Sequence, residues 1–332
     1  MASNIGLATA FNVAIGFSAI LGNGLVIFVM TVRREQFSSF TNRLIRHQSI
    51  IDFISGLVFL AVTGVKQSSL FENVEENFMG EMLCRLIYSN FMVLGLSVTS
   101  TYNLVVISLE RFLATCYPVK HRNYCSLSKI KVSMYAVWII GFTYALVFLC
   151  VYKVSENQCS FNHDMGSVAE ATLFCLSFVV EYAIPVTLIS FSYVRILLVL
   201  RQKLHNANAD QQDGVFSKAK RNVIMTMLIA GCMFFICWTP VELMRLLLTS
   251  NVVTTKTPQV GYVLGAFTEL VMCNMSVNPV VYCFKYEHFR TQLKQLVRSR
   301  FGRNRVRPGE ESTDGPTLSV PDLRGTAPVN LD

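Results

Sequence analysis

Seven long apolar blocks decide what this chain can become: Leu7–Met30, Leu44–Val65, Leu83–Leu113, Ile130–Val151, Val168–Leu200, Val223–Leu248 and Val260–Phe284. Each can cross ~30 Å of hydrocarbon, which takes about 20 residues as a helix. Within lipid only helices and closed barrels satisfy every backbone group, and these blocks are too long for barrel strands. Composition agrees: 52% of the 332 residues are hydrophobic and 15% charged, where soluble chains carry roughly 25% charged residues. Mean hydropathy is +0.44. The expected fold is an all-α membrane protein, a seven-transmembrane helix bundle over residues 7–284. A short outer segment (1–6) precedes it; a short amphipathic eighth helix (285–301) and a disordered tail (302–332) follow.

Loop charge sets the orientation. Arg33, Arg34 and Arg43 follow the first block, Lys120, Arg122, Lys129 and Lys131 the third, and Arg201, Lys203, Lys218, Lys220 and Arg221 the fifth. The other loops carry Glu72, Glu75, Glu76, Glu81, Glu156, Asp164 and Glu170. Because cations stay on the cytoplasmic side, the N-terminus is expected outside and the tail inside. The net charge of +8 then suits anionic lipid and acidic partners, and nucleic acid is not needed to explain it. Of ten cysteines, most lie in the blocks or near the inner face. Cys84 and Cys159 alone fall on the outer side, where oxidation is permitted, so they are expected to pair. Met1–Gly6 is short and uncharged, which makes the first helix an uncleaved anchor.

The polar and proline exceptions inside the blocks carry the functional signal. Asn23 lies between two glycines, and Asp52 sits deep in the second block. A carboxylate there costs ~2.5–3.5 kcal/mol unless paired, solvated or protonated. A polar cavity with Asn23, Ser100, Asn274 and Asn278 is the preferred reading, and a lone protonated Asp52 packed between helices is the alternative. Trp138, alone on the fourth helix, reads as packing. The adjacent Glu110–Arg111 pair ends the third block before a basic loop, as a docking feature at a membrane face would. Pro185, Pro240 and Pro279 interrupt three helices, with Tyr193, Phe234, Trp238 and Tyr282 nearby; static packing does not need such breaks, and a switch does. After Lys285, Tyr286, Phe289, Leu293, Leu296 and Val297 share one face with Arg290, Lys294 and Arg298 opposite, as in a helix lying on the inner leaflet. The tail offers Ser312, Thr313, Thr317 and Ser319 as phosphorylation candidates.

Taken together these residues resemble the rhodopsin-like (class A) G-protein-coupled receptors, over nearly the whole chain through Phe289. The motifs fall in order, one per helix: Gly22-Asn23, Asp52, Glu110-Arg111-Phe112, Trp138, Pro185 with Tyr193, Cys237-Trp238-Thr239-Pro240, and Asn278-Pro279-Val280-Val281-Tyr282. The resemblance implies a plasma-membrane receptor with an outward ligand cavity and a heterotrimeric G protein inside, with arrestin and receptor kinases as further partners. Arg111 would pair with Glu110 at rest, and Tyr193 and Tyr282 would swing towards it as the sixth helix moves about Pro240. Asp52, Ser100, Asn274 and Asn278 would form the family's allosteric sodium pocket, Na+ being the sole ion implied and no other cofactor.

Departures stand out. Phe112 replaces the usual tyrosine, Met275 replaces a small polar residue, and Lys220 stands near where some members carry an acid that locks the arginine. Arg46, His47 and Gln48 make the inner half of the second helix unusually polar. Cys84 lies two residues further ahead of Arg111 than is usual, so the outer end of the third helix should be wound differently. The amine-receptor aspartate is Val93 here, and the retinal lysine is Met272. The ligand site is expected around Val93, Ser97 and Trp238, with the ionisable Glu181, Glu242, Arg245 and Glu269. Glu242 and Arg245 can pair within their own helix, whereas Glu181 and Glu269 have no cation nearby in sequence. With the acidic outer loops they favour a cationic ligand, a basic peptide first and a small non-peptide molecule or lipid second. A transporter would show repeated halves, and an enzyme a catalytic cluster; the scattered His47, His121, His163, His205 and His288 supply none.

Overall fold

The computed structural model describes residues 2–68, 74–162, 166–207, 214–250, 252–253 and 258–301. The tail with its four phosphorylation candidates, together with Glu72, His163 and Asp164 and the side chains of Lys203, His205, Lys218, Lys220 and Arg221, lies outside the described residues. Among the described residues seven helices are long and apolar enough to cross a membrane. They are α1 (Ala2–Val32), α2 (Phe40–Lys66), α3 with α4 (Phe78–Leu83, Phe91–Cys116), α6 (Leu127–Leu149), α7 with α8 (Ser167–Ser177, Ile184–Ala207), α9 (Gly214–Thr249) and α10 (Pro258–Lys285). A short α5 (Pro118–Tyr124) follows α4, and α11 (Glu287–Phe301) follows α10. The backbone of α1 is already helical at Ala2, and its candidate membrane span is Gly6–Val32.

The α4 span runs through the middle of the bundle, packed on α2, α6, α8 and α9. In its most apolar window 67% of the residues are buried, against 22% in α6 and 17% in α10, which sit at the rim. Rim helices turn Leu21, Val132, Tyr135 and Ile139 outward, an apolar girdle that water would penalise and lipid accepts. Small residues set the closest approaches. A methyl at Gly22 would stand 2.9 Å from Pro279 Cβ, so glycine there lets α1 meet α10. Asn23 then donates 2.8 Å to the carbonyl of Met275, the very acceptor that Pro279, four residues on, leaves without its helical partner.

Two widened turns interrupt the ladders. Cys84–Tyr88 is π-helical and ends at Asn90, whose φ of 57° breaks the helix before α4 starts. The extra residues ahead of Arg111 are absorbed in this turn, the different winding expected from the cysteine spacing. Phe178–Ala183 is the second π turn, where Ile184 N–H reaches back to Val179 O. Pro185 is the cause: it has no N–H, and its ring would clash with the carbonyl of Glu181 in a regular helix.

Between α6 and α7 lies a hairpin absent from the sequence-based expectation, β1 (Tyr152–Ser155) and β2 (Gln158–Phe161), with Val154 opposite Cys159. Its turn residues Glu156 and Asn157 both have positive φ, the mirror-image turn that suits strand twist. Three bonds pin it to the preceding loop: Val74 N–H to Asn157 O (3.0 Å), Val154 N–H to Glu81 (3.1 Å) and Glu156 N–H to Glu76 (2.9 Å). Glu81 also pairs with Arg85 at 2.8 Å, so part of the loop acidity holds the hairpin in place.

Candidate functional site

At the hairpin end the bundle encloses a cavity of about 540 Å³, within the usual range for ligand sites. Its wall includes Asn12, Lys66, Val93, Ser97, Glu181, Trp238, Arg245 and Glu269, with Tyr152 and Phe161 of the hairpin at its edge. The expected ligand residues are thus brought together, with one exception. Glu242 is buried outside the wall and joins the site through Arg245.

Arg245 is the hub of a charged triad. One guanidinium nitrogen lies 3.0 Å from Glu181 and 2.9 Å from Glu242. The pairing of Glu242 with Arg245 therefore forms, and Glu181, with no cation nearby in sequence, meets the same guanidinium across the bundle. The π turn ahead of Pro185 carries Glu181 inward to α9, a partner 64 positions away. Tyr144 of α6 donates to the same carboxylate at 2.6 Å. One cation faces two acidic side chains. Glu269, half-buried, accepts from Asn12 across a long 3.4 Å.

At the opposite end Arg111 forms a two-pronged bond with Glu110, both contacts at 2.6 Å. Glu110 is buried and also accepts from Thr41 at 2.9 Å, while His121 of α5 stands 3.0 Å away. The carboxylate is therefore held from α2 and the connecting loop as well as by its neighbour. Asn222 of α9 ties the α10–α11 junction, bonding Lys285 O and Glu287 N–H at 3.0 Å each. Tyr286 donates to Asn42 at 2.7 Å; burial pushes its phenol up to about 12, so it remains a neutral donor.

Between the two ends Tyr193, Phe234, Trp238 and Tyr282 share one buried cluster. Phe234 and Trp238 have ring centres 5.7 Å apart, and Pro240 and Pro279 lie inside α9 and α10. The Tyr193 hydroxyl lies 3.3 Å from Ser108, while the buried Tyr282 hydroxyl has no hydrogen-bond partner among the described residues. Asp52 gathers Ser100 (2.7 Å) and Asn278 (2.9 Å), and Asn274 lines a small void beside it. Asn23 instead bonds the backbone of α1 and α10. Gln48 and Asn103 also reach this cluster, which the sequence reading did not foresee, although the polarity at His47 and Gln48 was the available signal. Trp138 is more than packing: it stacks on Phe142 and donates to His47 at 3.0 Å. Cys84 and Cys159, the expected pair, lie in one buried cluster with Val74 and Val154.

With this geometry in hand the comparisons are direct. Residues 22–282 match the family described as "7 transmembrane receptor (rhodopsin family)". The chain belongs to the rhodopsin family. It is a G-protein-coupled receptor and not an enzyme. This receptor is 27% identical to galanin receptor 2b of Danio rerio over 86% of its own length and 74% of that protein. It is 26% identical to trace amine-associated receptor 1 of Mus musculus, covering 84% and 85% of the two chains. The substance-P receptor of Aquarana catesbeiana is 26% identical over 67% of this receptor and 54% of that one. Family membership carries an extracellular ligand, a G protein and a multi-pass membrane location.

Proposed function

We propose that this receptor lies in the plasma membrane with the hairpin end outside, and that it binds a peptide carrying positive charge. The placement follows the basic residues, which gather at the Glu110–Arg111 end and on α11. The observation that carries the ligand class is the acid excess around the cavity: Glu170, Glu181 and Glu269 line it against Lys66 and Arg245, with Glu242 behind Arg245. A cavity of about 540 Å³ admits a few side chains, so a peptide end enters while the rest lies on the hairpin. Galanin and substance-P receptors among the relatives agree with a peptide. The trace amine relatives favour an amine, but Val93 removes the family's usual ammonium partner on α4.

Binding at Trp238 moves α9 about Pro240, frees Arg111 from Glu110, and opens the inner end to the G protein. Arrestin and receptor kinases act on the inner face and the 302–332 tail. Cys84 and Cys159 pair outside the cell. The test is nucleotide exchange on a panel of G proteins, driven by tissue extract with and without protease, with Arg111→Ala as control. Activity should vanish with protease, and Glu269→Gln should lower potency about tenfold, as loss of ~1.4 kcal/mol implies. Activity that survives protease would end the peptide reading.

A further inference from the structure

The inner cavity around Asp52 is where the family resemblance places sodium, and its hydrogen bonds run the wrong way for a cation. Asp52 is fully buried on α2. Its Oδ1 accepts from Ser100 at 2.7 Å and from Gln48 Nε2 at 3.2 Å. Its Oδ2 accepts from Asn278 at 2.9 Å and from the same Gln48 nitrogen at 3.1 Å. A carboxylate offers about four lone-pair directions; Ser100 and Asn278 take one each, and the Gln48 nitrogen lies astride both oxygens. Gln48 Nε2 also bonds Ser100 Oγ. The hydroxyl that would help ligate an ion is thereby engaged from the same side.

An amide can be turned end for end, so its orientation has to be argued. Here an indole settles it. Trp138 Nε1 can only donate, and it donates to His47 Nε2 at 3.0 Å. That ring nitrogen is therefore the acceptor, and Nδ1 carries the proton towards Asn103 Oδ1, 2.9 Å away. Asn103 must then present its nitrogen to Gln48 Oε1, at 2.7 Å, and Gln48 must present its own nitrogen to Asp52. A relay of side chains from α6 through α2 and α4 thus fixes which end of Gln48 meets the carboxylate. A flipped Gln48 amide would set oxygen against the Asp52 carboxylate and nitrogen against the Asn103 nitrogen.

Space agrees with polarity. The void beside Asp52 measures about 20 Å³; Ser55, Ser97, Ser100 and Asn274 share its wall with Val93, Val271, Met272 and Met275. One water-sized body fits in ~10–15 Å³, so the void leaves no room for an ion together with hydration waters of its own.

We infer that the Gln48 carboxamide is a built-in substitute for the cation at Asp52, so that sodium neither binds the receptor core nor tunes its activity. The experiment uses the purified full-length receptor, with thermal unfolding and basal nucleotide exchange measured as Na+ replaces N-methylglucamine at constant ionic strength. Wild type should show no Na+-specific change in either readout. Gln48→Leu removes the donor, and it should gain a Na+-specific rise in Tm on the order of 2–4 °C once the vacated site fills. Gln48→Glu is nearly isosteric and keeps the oxygen that Asn103 binds, so it covers the case in which the leucine variant fails to fold. It sets two carboxylates together, which calls for a cation, and should show the same sign. A Na+-specific shift in wild type would overturn the inference. So would folded variants that remain as insensitive to Na+ as wild type.

Discussion

At the scale of single residues, the relay that starts at Trp138 can be broken at its first bond. Trp138→Phe keeps a ring against Phe142 and removes the N–H that His47 accepts, together with part of the indole. A buried acceptor left unmet costs about 1–3 kcal/mol. For a chain of this size the expected fall in Tm is several degrees, read by thermal unfolding of the purified receptor. A midpoint equal to wild type would show that the relay carries no stability. The residues that announced themselves in the sequence were chemical misfits in apolar surroundings: Asp52, Glu110, Arg111 and the three interior prolines. A misfit is visible because lipid makes it costly. What it touches is another matter. Gln48 advertised polarity, but an amide does not say which end faces its neighbour, and that depends on Trp138, Asn103 and His47 converging from three helices.

Helices were legible from block length, and their breaks were legible in part. Pro185 foretold a bend, yet the form it takes, a π turn over Phe178–Ala183, decides where Glu181 goes. No rule of sequence spacing pairs residues 181 and 245, so Arg245 was assigned to Glu242 alone. Pro185→Ala restores the missing N–H, lets the turn tighten, and should rotate Glu181 away from Arg245. Because alanine favours a helix over proline by up to ~3 kcal/mol, Tm should hold or rise. Potency of the extract's activity should nonetheless fall about tenfold. Unchanged potency would detach the π turn from ligand binding. The hairpin was missed because its turn is Glu156-Asn157, whereas the usual signal for two positive φ values contains glycine.

Across the whole molecule, the ends are specialised. The hairpin end holds the charged cavity, the opposite end the Glu110–Arg111 fork, and α4 passes between them. The proposed Cys84–Cys159 bond would join the start of the α4 span to the hairpin and so limit how far the cavity mouth opens. If it forms, Cys84→Ser and Cys159→Ser should each cost about 2–4 kcal/mol, and the double variant no more than either. Unfolding of the three variants decides this, and additive losses would mean that the thiols act separately. The bond from Asn23 to the Met275 carbonyl reaches further still. It joins the fate of two distant codons. A descendant that loses Pro279 closes its own helical ladder and releases position 23 from selection, while one that loses Asn23 first inherits a bare carbonyl in the bilayer. The order of such changes during divergence is therefore constrained: the proline goes before the asparagine.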